Sequence, residues 1–191
     1  TDPARIYLGL NHRGAARSGL YRSTDSGLSW SVLSNFPEGD VQCVYVDAAS
    51  TVYASITDNF DWSTEGGLYR SMDGGNSWTM INDHPRVVDL DIDPNDANRL
   101  LATGQAWYRP SSRDGELLLS EDGGTTWEII STGVAHTFFN FGRFDTRRGQ
   151  TELLAGTAGG GLWSARLQTE TSATPLTGDF DGSGIVDFPD F

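Results

Sequence analysis

The sequence predicts an all-β protein built from repeated antiparallel sheets, and three observations support that prediction. A segment of the form Ser-x-Asp-x-Gly-x-x-Trp occurs three times, with its aspartates at positions 25, 73 and 122. The 191 residues include 23 glycines, a content typical of a chain with many tight turns. The apolar runs are short, rich in Val, Ile, Tyr and Trp, and separated by Gly, Asn, Asp and Pro, which favours strands over helices.

Charge and hydropathy argue against two properties, namely nucleic-acid binding and a membrane-spanning helix. The chain has 26 acidic residues and 13 basic ones, all of them arginine, for a formal net charge of −13. Neutralising nucleic-acid phosphates requires a basic face, so we expect no nucleic-acid binding. No apolar run approaches the ~20 residues that a membrane-spanning helix needs, so we expect no membrane span.

Each repeat is predicted to contain four strands. The first strand is an apolar segment that ends in an Asp-led turn, at 41–47, 87–93 and 139–145. The second strand is predicted at 5–10, 51–57, 99–104 and 152–157. The third strand leads into the Ser-x-Asp-x-Gly-x-x-Trp turn, and the fourth follows its tryptophan. Strand alternation and turn residues at fixed offsets justify each assignment.

The spacing of the repeats indicates a β-propeller of four-stranded antiparallel blades. The three aspartates lie 48 and then 49 residues apart, close to the ~40–50 residues of a propeller blade. A single blade cannot bury both of its faces, so neighbouring blades must stack radially. The first repeat lacks its first strand and the fourth, from about 136 to 167, shows three strands and no Asp turn. About three and a half blades are therefore expected, as an N-terminally truncated fragment of a larger ring.

The repeated turns resemble the Asp-box, or BNR, repeats of sialidase-like β-propellers. That resemblance implies a structural role in which the carboxylate and the serine hydroxyl bond to the turn, glycine adopts a positive φ and tryptophan packs between sheets. Three equivalent turns on separate blades cannot converge on one substrate. The predicted structural residues are Ser23, Asp25, Gly27, Trp30, Ser71, Asp73, Gly75, Trp78, Ser120, Asp122, Gly124 and Trp127.

The loops between the second and third strands are predicted to form a ligand face. They are long and aromatic, at 11–18, 58–65 and 105–114, and emerge at the end of each sheet opposite the Asp turns. Trp62, Trp107 and Tyr108 suit stacking on the apolar faces of sugars, and Arg109 suits binding to hydroxyl groups. The alternative is that these side chains are solvated or pack against a neighbouring blade.

A glycoside hydrolase is the alternative to a binding or scaffold module. Asp-box propellers occur in xyloglucan-cleaving hydrolases, and the Tyr53-Ala54 strand followed by Asp58 and then by Gly67-Leu68-Tyr69-Arg70 is similar to the segment around one of their catalytic aspartates. Asp58, Asp61 and Glu65 are the candidate carboxylates, and an inverting mechanism would need a second carboxylate ~6.5–9.5 Å away. The arginine cluster, tyrosine nucleophile and other catalytic groups of sialidases are not recognisable. Other propellers with these repeats, such as sortilin-type receptors and photosystem assembly factors, only bind.

A separate module is predicted at the C-terminus. Residues 168–177 have the Thr/Ser/Pro character of a linker, and 178–191 resemble a partial dockerin-like EF-hand loop. Its oxygen ligands would be Asp179, Asp181, Ser183, the carbonyl of Ile185, Asp187 and Asp190, with glycine at loop position 6 for the sharp turn. The resemblance implies Ca²⁺ as cofactor.

These features together predict an exported protein. Residues 1–167 would form the propeller fragment and bind a glycan or another surface polymer. The calcium loop would anchor it to a cohesin-like or cell-surface partner. We therefore expect a secreted or cell-surface location, since millimolar calcium is an extracellular condition.

Overall fold

The computed structural model describes residues 4–11, 18–57, 66–105, 115–132, 138–147 and 151–167. These residues form strands and turns, and none of the described segments is helical. It follows that the part of the chain described here contains no helix long and apolar enough to cross a membrane. Residues 168–191 lie outside the described ranges, so the linker at 168–177 and the module at 178–191 stay predictions.

The described residues contain fourteen strands. They are β1 (Ile6–Leu10), β2 (Gly19–Ser23), β3 (Ser31–Val32), β4 (Asp40–Val46), β5 (Val52–Thr57), β6 (Gly67–Ser71), β7 (Thr79–Asn82), β8 (Val87–Ile92), β9 (Leu100–Gly104), β10 (Glu116–Ser120), β11 (Glu128–Ile129), β12 (Phe139–Asp145), β13 (Glu152–Thr157) and β14 (Gly161–Arg166). The first and second strands of each repeat fall within one residue of their predicted bounds.

Consecutive strands pair in antiparallel fashion to form four sheets. The strand orders are β1-β2-β3, β4-β5-β6-β7, β8-β9-β10-β11 and β12-β13-β14. The second and third sheets are the four-stranded blades that the repeat predicts, and the first and fourth are three-stranded within the described residues. The prediction of an all-β, partial β-propeller is confirmed.

The chain divides into two compact units, of which the first is Thr1–Val87. In this unit the β1–β3 sheet packs against the β4–β7 sheet. Gly9 makes the close approach possible, because a Cβ at this position would overlap the side chain of Val41. The core consists of Leu20, Leu33, Phe36, Val41, Ala54, Ile56 and Tyr69. Apolar residues from both sheets are therefore buried in one interface.

The second unit is Val88–Phe191, and its described part repeats the arrangement with β9, β10 and β12 in contact. Gly142 on β12 takes the role of the close-approach glycine: an added Cβ would lie 2.8 Å from Leu101 Cδ2 and 3.0 Å from Thr103 Oγ1. The core consists of Leu101, Leu117, Leu119, Ile130, Phe139, Phe144, Leu153, Ala155 and Trp163. Each unit thus has its own apolar core between two sheets.

Candidate functional site

The three Ser-x-Asp-x-Gly-x-x-Trp segments form closed turns, here called the Asp turns. In the second one, the hydroxyl of Ser71 donates to Asp73 Oδ1 at 2.8 Å and accepts the N–H of Gly75 at 2.7 Å. Asp73 also accepts the backbone N–H of Ser77 at 2.9 Å through Oδ1 and the Ser77 hydroxyl at 2.6 Å through Oδ2. Both carboxylate oxygens are therefore bonded within the turn.

The first and third Asp turns have the same hydrogen bonds. Asp25 accepts from the Ser23 hydroxyl at 2.7 Å and from the Ser29 hydroxyl at 2.6 Å. Asp122 accepts from the Ser120 hydroxyl at 2.9 Å and from the Thr126 hydroxyl at 2.6 Å. The residue four positions after the aspartate, serine or threonine, is a member of the motif that the sequence pattern did not single out.

These bonds favour the charged form of each carboxylate. Hydrogen bonds from Ser29 and Ser23 lower the pKa of Asp25 to about 2, and bonds from Thr126 lower the pKa of Asp122 to about 2. The bonds from Ser77 and Ser71 hold the pKa of Asp73 far below its usual range. A general acid or base works best with a pKa near the operating pH. The Asp-turn carboxylates are poor candidates for proton transfer.

The tryptophan of each Asp turn donates its indole N–H to the turn itself. The acceptor is the carbonyl of the motif glycine, at 3.1 Å from Trp30 Nε1 and at 3.2 Å from both Trp78 Nε1 and Trp127 Nε1. The Trp78 ring also packs edge-on against Phe36, which lies between β3 and β4, with centroids 4.7 Å apart. Trp30 is 40% exposed, so this tryptophan is only partly covered within the described residues.

The opposite end of each sheet is here called the loop end. There β5 ends at Thr57 and β6 begins at Gly67, so the intervening loop leaves from this end. All seven residues predicted for the ligand face or for catalysis lie outside the described residues: Asp58, Asp61, Trp62, Glu65, Trp107, Tyr108 and Arg109. Their roles stay predictions.

Polar side chains at the loop end of the first unit form hydrogen bonds with one another. Asp40 is 5% exposed and accepts a hydrogen bond from the Ser18 hydroxyl at 2.7 Å. Gln42 Nε2 donates to Thr57 Oγ1 at 3.4 Å. Sequence reasoning missed the Asp40–Ser18 pair, because the two residues are 22 positions apart and neither belongs to the repeated motif.

In the second unit, Gln105 has the corresponding position at the loop end. Its Nε2 donates to the carbonyl of Phe139 at 3.0 Å and to Asn140 Oδ1 at 3.4 Å. A side-chain amide thereby ties the start of a long loop to β12. The loop end of each unit is thus anchored by polar side chains on the sheet.

Two further carboxylates in the second unit, Asp89 and Asp91 on β8, have a structural role that the sequence pattern of this strand did not indicate. Asp89 Oδ2 accepts the N–H of Gly142 at 3.2 Å and contacts the guanidinium of Arg143. Asp91 Oδ2 accepts the N–H of Phe144 at 2.8 Å. Burial raises the pKa of Asp91, against the opposing effect of the Phe144 hydrogen bond. Together they accept backbone N–H groups of Gly142 and Phe144 on β12, the outer strand of its sheet.

The predicted calcium loop lies outside the described residues. Asp179, Asp181, Ser183, Ile185, Asp187 and Asp190 are all outside the described residues. Among residues that are described, no three His, Cys, Asp or Glu side chains form a group that could hold a metal ion. His84 is fully buried, and its Nδ1 accepts the N–H of Arg86 at 3.1 Å.

Comparison with known proteins gives one matching family model and several solved structures of similar fold. The family model Sortilin-Vps10, described as "Sortilin, neurotensin receptor 3", matches residues 18–158. No curated protein matches the sequence.

Solved structures share the fold at low sequence identity. The GH74 enzyme of Niastella koreensis is 19% identical with a TM-score of 0.68, and the GH74 xyloglucanase of Xanthomonas campestris is 24% identical with a TM-score of 0.67. The matches cover 93% and 91% of this chain but 30% and 27% of those enzymes, so the chain spans less than a third of their length. A structure of YCF48 bound to D1 peptide matches at 16% identity and a TM-score of 0.53, covering 83% of this chain and 46% of that one.

Proposed function

Because this chain belongs to the Sortilin-Vps10 family, we propose that it is part of an exported β-propeller that acts as a binding or scaffold module, with a glycan or another surface polymer as its ligand. The observation that carries the proposal is the contrast between the two ends of the sheets. The Asp-turn end is closed by short turns whose carboxylates are already bonded. The loop end carries the long connections, and binding residues are commonly found on loops held by a rigid scaffold.

The proposed ligand contacts are Trp62, Trp107, Tyr108 and Arg109. Aromatic rings stack on the apolar faces of sugars, and a guanidinium donates several hydrogen bonds in a fixed geometry. The polar anchors beneath these loops support the assignment: Asp40 with Ser18 in one unit, and Gln105 in the other. Such anchors would fix the points from which the loops start.

The Asp turns are proposed to be Asp-boxes with a structural role. In all three, the serine, aspartate, glycine and tryptophan are joined by the same hydrogen bonds, and no group is left to converge with another turn on a substrate. This assignment covers the twelve motif residues named above.

We further propose that residues 178–191 are a partial dockerin-like calcium loop that anchors the protein to a cohesin-like or cell-surface partner. Asp179, Asp181, Ser183, Ile185, Asp187 and Asp190 supply oxygen donors at the spacing of an EF-hand loop, which suits a hard cation such as Ca²⁺. A secreted or cell-surface location follows from this proposal.

Glycan binding is tested by titrating the full chain with xyloglucan oligosaccharides, cellooligosaccharides and sialyllactose. We expect affinity for at least one of them, reduced at least tenfold by Trp107→Ala. Met72→Ala is the matched control, since Met72 is 79% exposed at the Asp-turn end. Absence of affinity for every glycan, or an equal loss in the control, would refute glycan recognition at the loop end.

A glycoside hydrolase is the second candidate, because β5 ends at Thr57 and Asp58 is the next residue, the first of the long loop. The GH74 neighbours make xyloglucan the first substrate to test, and a sialidase-like activity the second. In this case part of the catalytic pair would lie outside the chain, with Asp61 and Glu65 as further candidates. The enzyme proposal would be supported, and the binding-module proposal rejected, if the chain released reducing ends and Asp58→Asn abolished this release while glycan affinity was retained.

Calcium binding is tested by isothermal titration of the full chain with CaCl₂ after treatment with EGTA. We expect one binding event that Asp179→Ala removes and Asp145→Ala, outside the loop, does not. A heat signal that persists in Asp179→Ala would show that the loop is not the site.

A further inference from the structure

A cationic site lies beside the second Asp turn: we propose that Arg5 and Arg22, here called the arginine pair, bind an oxyanion group, either the carboxylate or the sulfate ester of an acidic polysaccharide. The site is at the Asp-turn end of the first unit, opposite the loop end where the ligand face is proposed. A guanidinium donates paired N–H groups in a planar geometry that suits oxyanions. The choice of a polysaccharide as carrier rests on the proposed glycan function, whereas the anion site itself does not.

Both members of the arginine pair reach the same residue of the neighbouring sheet, Gly74. Arg22 Nη1, on β2, lies 2.6 Å from the Gly74 carbonyl oxygen and 3.3 Å from Asn76 Oδ1. Arg5 stands directly before β1, and a Cβ built on Gly74 would lie 2.7 Å from Arg5 Nη1 and 3.6 Å from Arg5 Cζ. The missing side chain of this glycine therefore leaves the space that the Arg5 guanidinium occupies. Arg5 is exposed and Arg22 is half-buried, so an anion can reach the pair from solvent.

No carboxylate among the described residues forms an ion pair with either arginine. Arg22 donates only to neutral oxygens, those of the Gly74 carbonyl and the Asn76 side chain. The Arg5 guanidinium forms no hydrogen bond with any residue that the structure describes. Asp73 is the acid of this turn, but both of its carboxylate oxygens accept hydrogen bonds from within the turn. Two uncompensated positive charges that converge on one residue repel each other, and a bound anion would relieve that repulsion.

The third sheet shows how an arginine at the same position is neutralised inside the protein. Arg99 stands directly before β9, as Arg5 stands directly before β1. The Arg99 guanidinium forms ion pairs with Asp93 at 3.0 Å and with Glu121 at 3.4 Å. Glu121 is the residue between the serine and the aspartate of the third Asp turn, and Thr24 has that position in the first. The first Asp turn therefore lacks the carboxylate that Glu121 supplies to Arg99, and the charge of Arg5 remains for an external anion.

The backbone of Gly74 adds a donor that the other two Asp turns use internally. In the first turn the N–H of Ser26 donates to the carbonyl of Ala4 at 2.9 Å, and in the third the N–H of Gly123 donates to the carbonyl of Asn98 at 2.8 Å. The equivalent N–H of Gly74 forms no hydrogen bond with any described residue. Backbone N–H groups in tight turns are common anion donors. The residue that both arginines reach thus has an N–H that an anion can satisfy.

The site is tested by titrating the ¹⁵N-labelled full chain with sodium sulfate, and with sodium chloride at equal ionic strength. Sulfate should shift the Nε–Hε resonance of Arg5 and the amide resonance of Gly74 with saturation, and chloride should not. Arg5→Gln should weaken sulfate binding at least fivefold, and Arg5→Lys should weaken it less because the charge is kept. Arg147→Gln is the matched control, since Arg147 is an exposed arginine that already pairs with Asp145. Arg5 is the residue to replace because its guanidinium has no hydrogen bond in the described fold to lose.

The carrier of the anion is tested with two charged polysaccharides, polygalacturonate for carboxylates and dextran sulfate for sulfate esters, with neutral dextran as the control. We expect at least one charged polymer to bind, with an affinity that Arg5→Gln reduces at least tenfold and Arg147→Gln does not. Equal shifts with sulfate and chloride, or equal losses in the two variants, would overturn the anion site. Binding of sulfate without binding of either charged polymer would overturn the polysaccharide as its carrier. The sulfate titration involves no glycan, so its failure is distinct from a failure of the proposed function.

Discussion

Arg22 and Gly74 join the two sheets of the first unit: Nη1 of Arg22, on β2, donates to the Gly74 carbonyl in the second Asp turn at 2.6 Å. The same carbonyl accepts the Tyr7 hydroxyl at 3.0 Å. One turn carbonyl thus receives two donors from the neighbouring sheet. This arrangement links the local geometry of an Asp turn to the packing of one sheet on the next.

Removing either donor should reduce the stability of the first unit. We expect Arg22→Gln to lower the free energy of unfolding by about 1.5–3 kcal/mol and Tyr7→Phe by about 1 kcal/mol, typical of charged and neutral donors. Chemical denaturation measures both. The double variant should lose more than the sum, since the carbonyl then has neither donor. Arg166→Gln, which removes an exposed ion pair with Glu152, is the control and should change stability little.

Acid should destabilise the protein through the Asp turns. The pKa of Asp25 and that of Asp122 are lowered to about 2, below the unfolded value of about 3.9. Their contribution to stability is therefore present above about pH 4 and is lost as the pH falls towards about 2. In Asp122→Asn, the urea concentration at the midpoint of unfolding should fall less steeply as the pH is lowered from about 4 to about 2. Glu38→Gln, at an exposed position outside the turns, should leave the decline unchanged, and the prediction fails if both variants behave alike.

The first Asp turn should be stabilised by a glycine. Ser26 has a φ of 61°, whereas the equivalent residues Gly74 and Gly123 have φ values of 73° and 71°. A residue with a Cβ is strained in this region, so Ser26→Gly should raise the free energy of unfolding by about 0.5–1 kcal/mol. Thermal unfolding provides the measurement. Thr24→Gly, at an exposed position in the same turn, should not stabilise, and a gain in Thr24→Gly equal to that in Ser26→Gly would contradict the explanation.

Truncation of Phe36 should damage the interface between the sheets of the first unit. Phe36 is 5% exposed and lies edge-on against Tyr69 at 5.6 Å and Trp78 at 4.7 Å between ring centroids. Phe36→Ala should cost about 3–5 kcal/mol of unfolding free energy. Leu28→Ala, at a position 89% exposed, should cost almost nothing. A small loss in Phe36→Ala would mean that this ring is not central to the interface.

The strands were predictable because their causes are local. The predicted second strand of the second repeat, 51–57, corresponds to β5 at Val52–Thr57, where β-branched and aromatic residues lie between turn residues. The bonding of Asp73 to Ser77 was also within reach, since the donors are within four positions of the acceptor. Hydrogen bonds between residues this close in the chain can be predicted from the sequence alone.

Contacts between strands distant in sequence were not predictable. The pairs Asp40–Ser18 and Asp91–Phe144 each join an acidic side chain to a group that only sheet packing brings close. The sequence pattern of β8 shows alternation but does not show that its carboxylates accept amides of β12. The ligand face remains a prediction for another reason, because its loops lie outside the described residues.

Each Asp turn closes on itself within eight residues, from the serine to the tryptophan. A hairpin that completes its own hydrogen bonds needs no long-range contact to hold its shape, so it can form early while loop-closure entropy is still small. Because its hydrogen bonds are internal, the turn also keeps its structure when the gene segment that encodes it is duplicated, or when a neighbouring segment is lost. The number of sheets in such a protein can therefore change over evolution without new contacts being needed to stabilise the remaining turns.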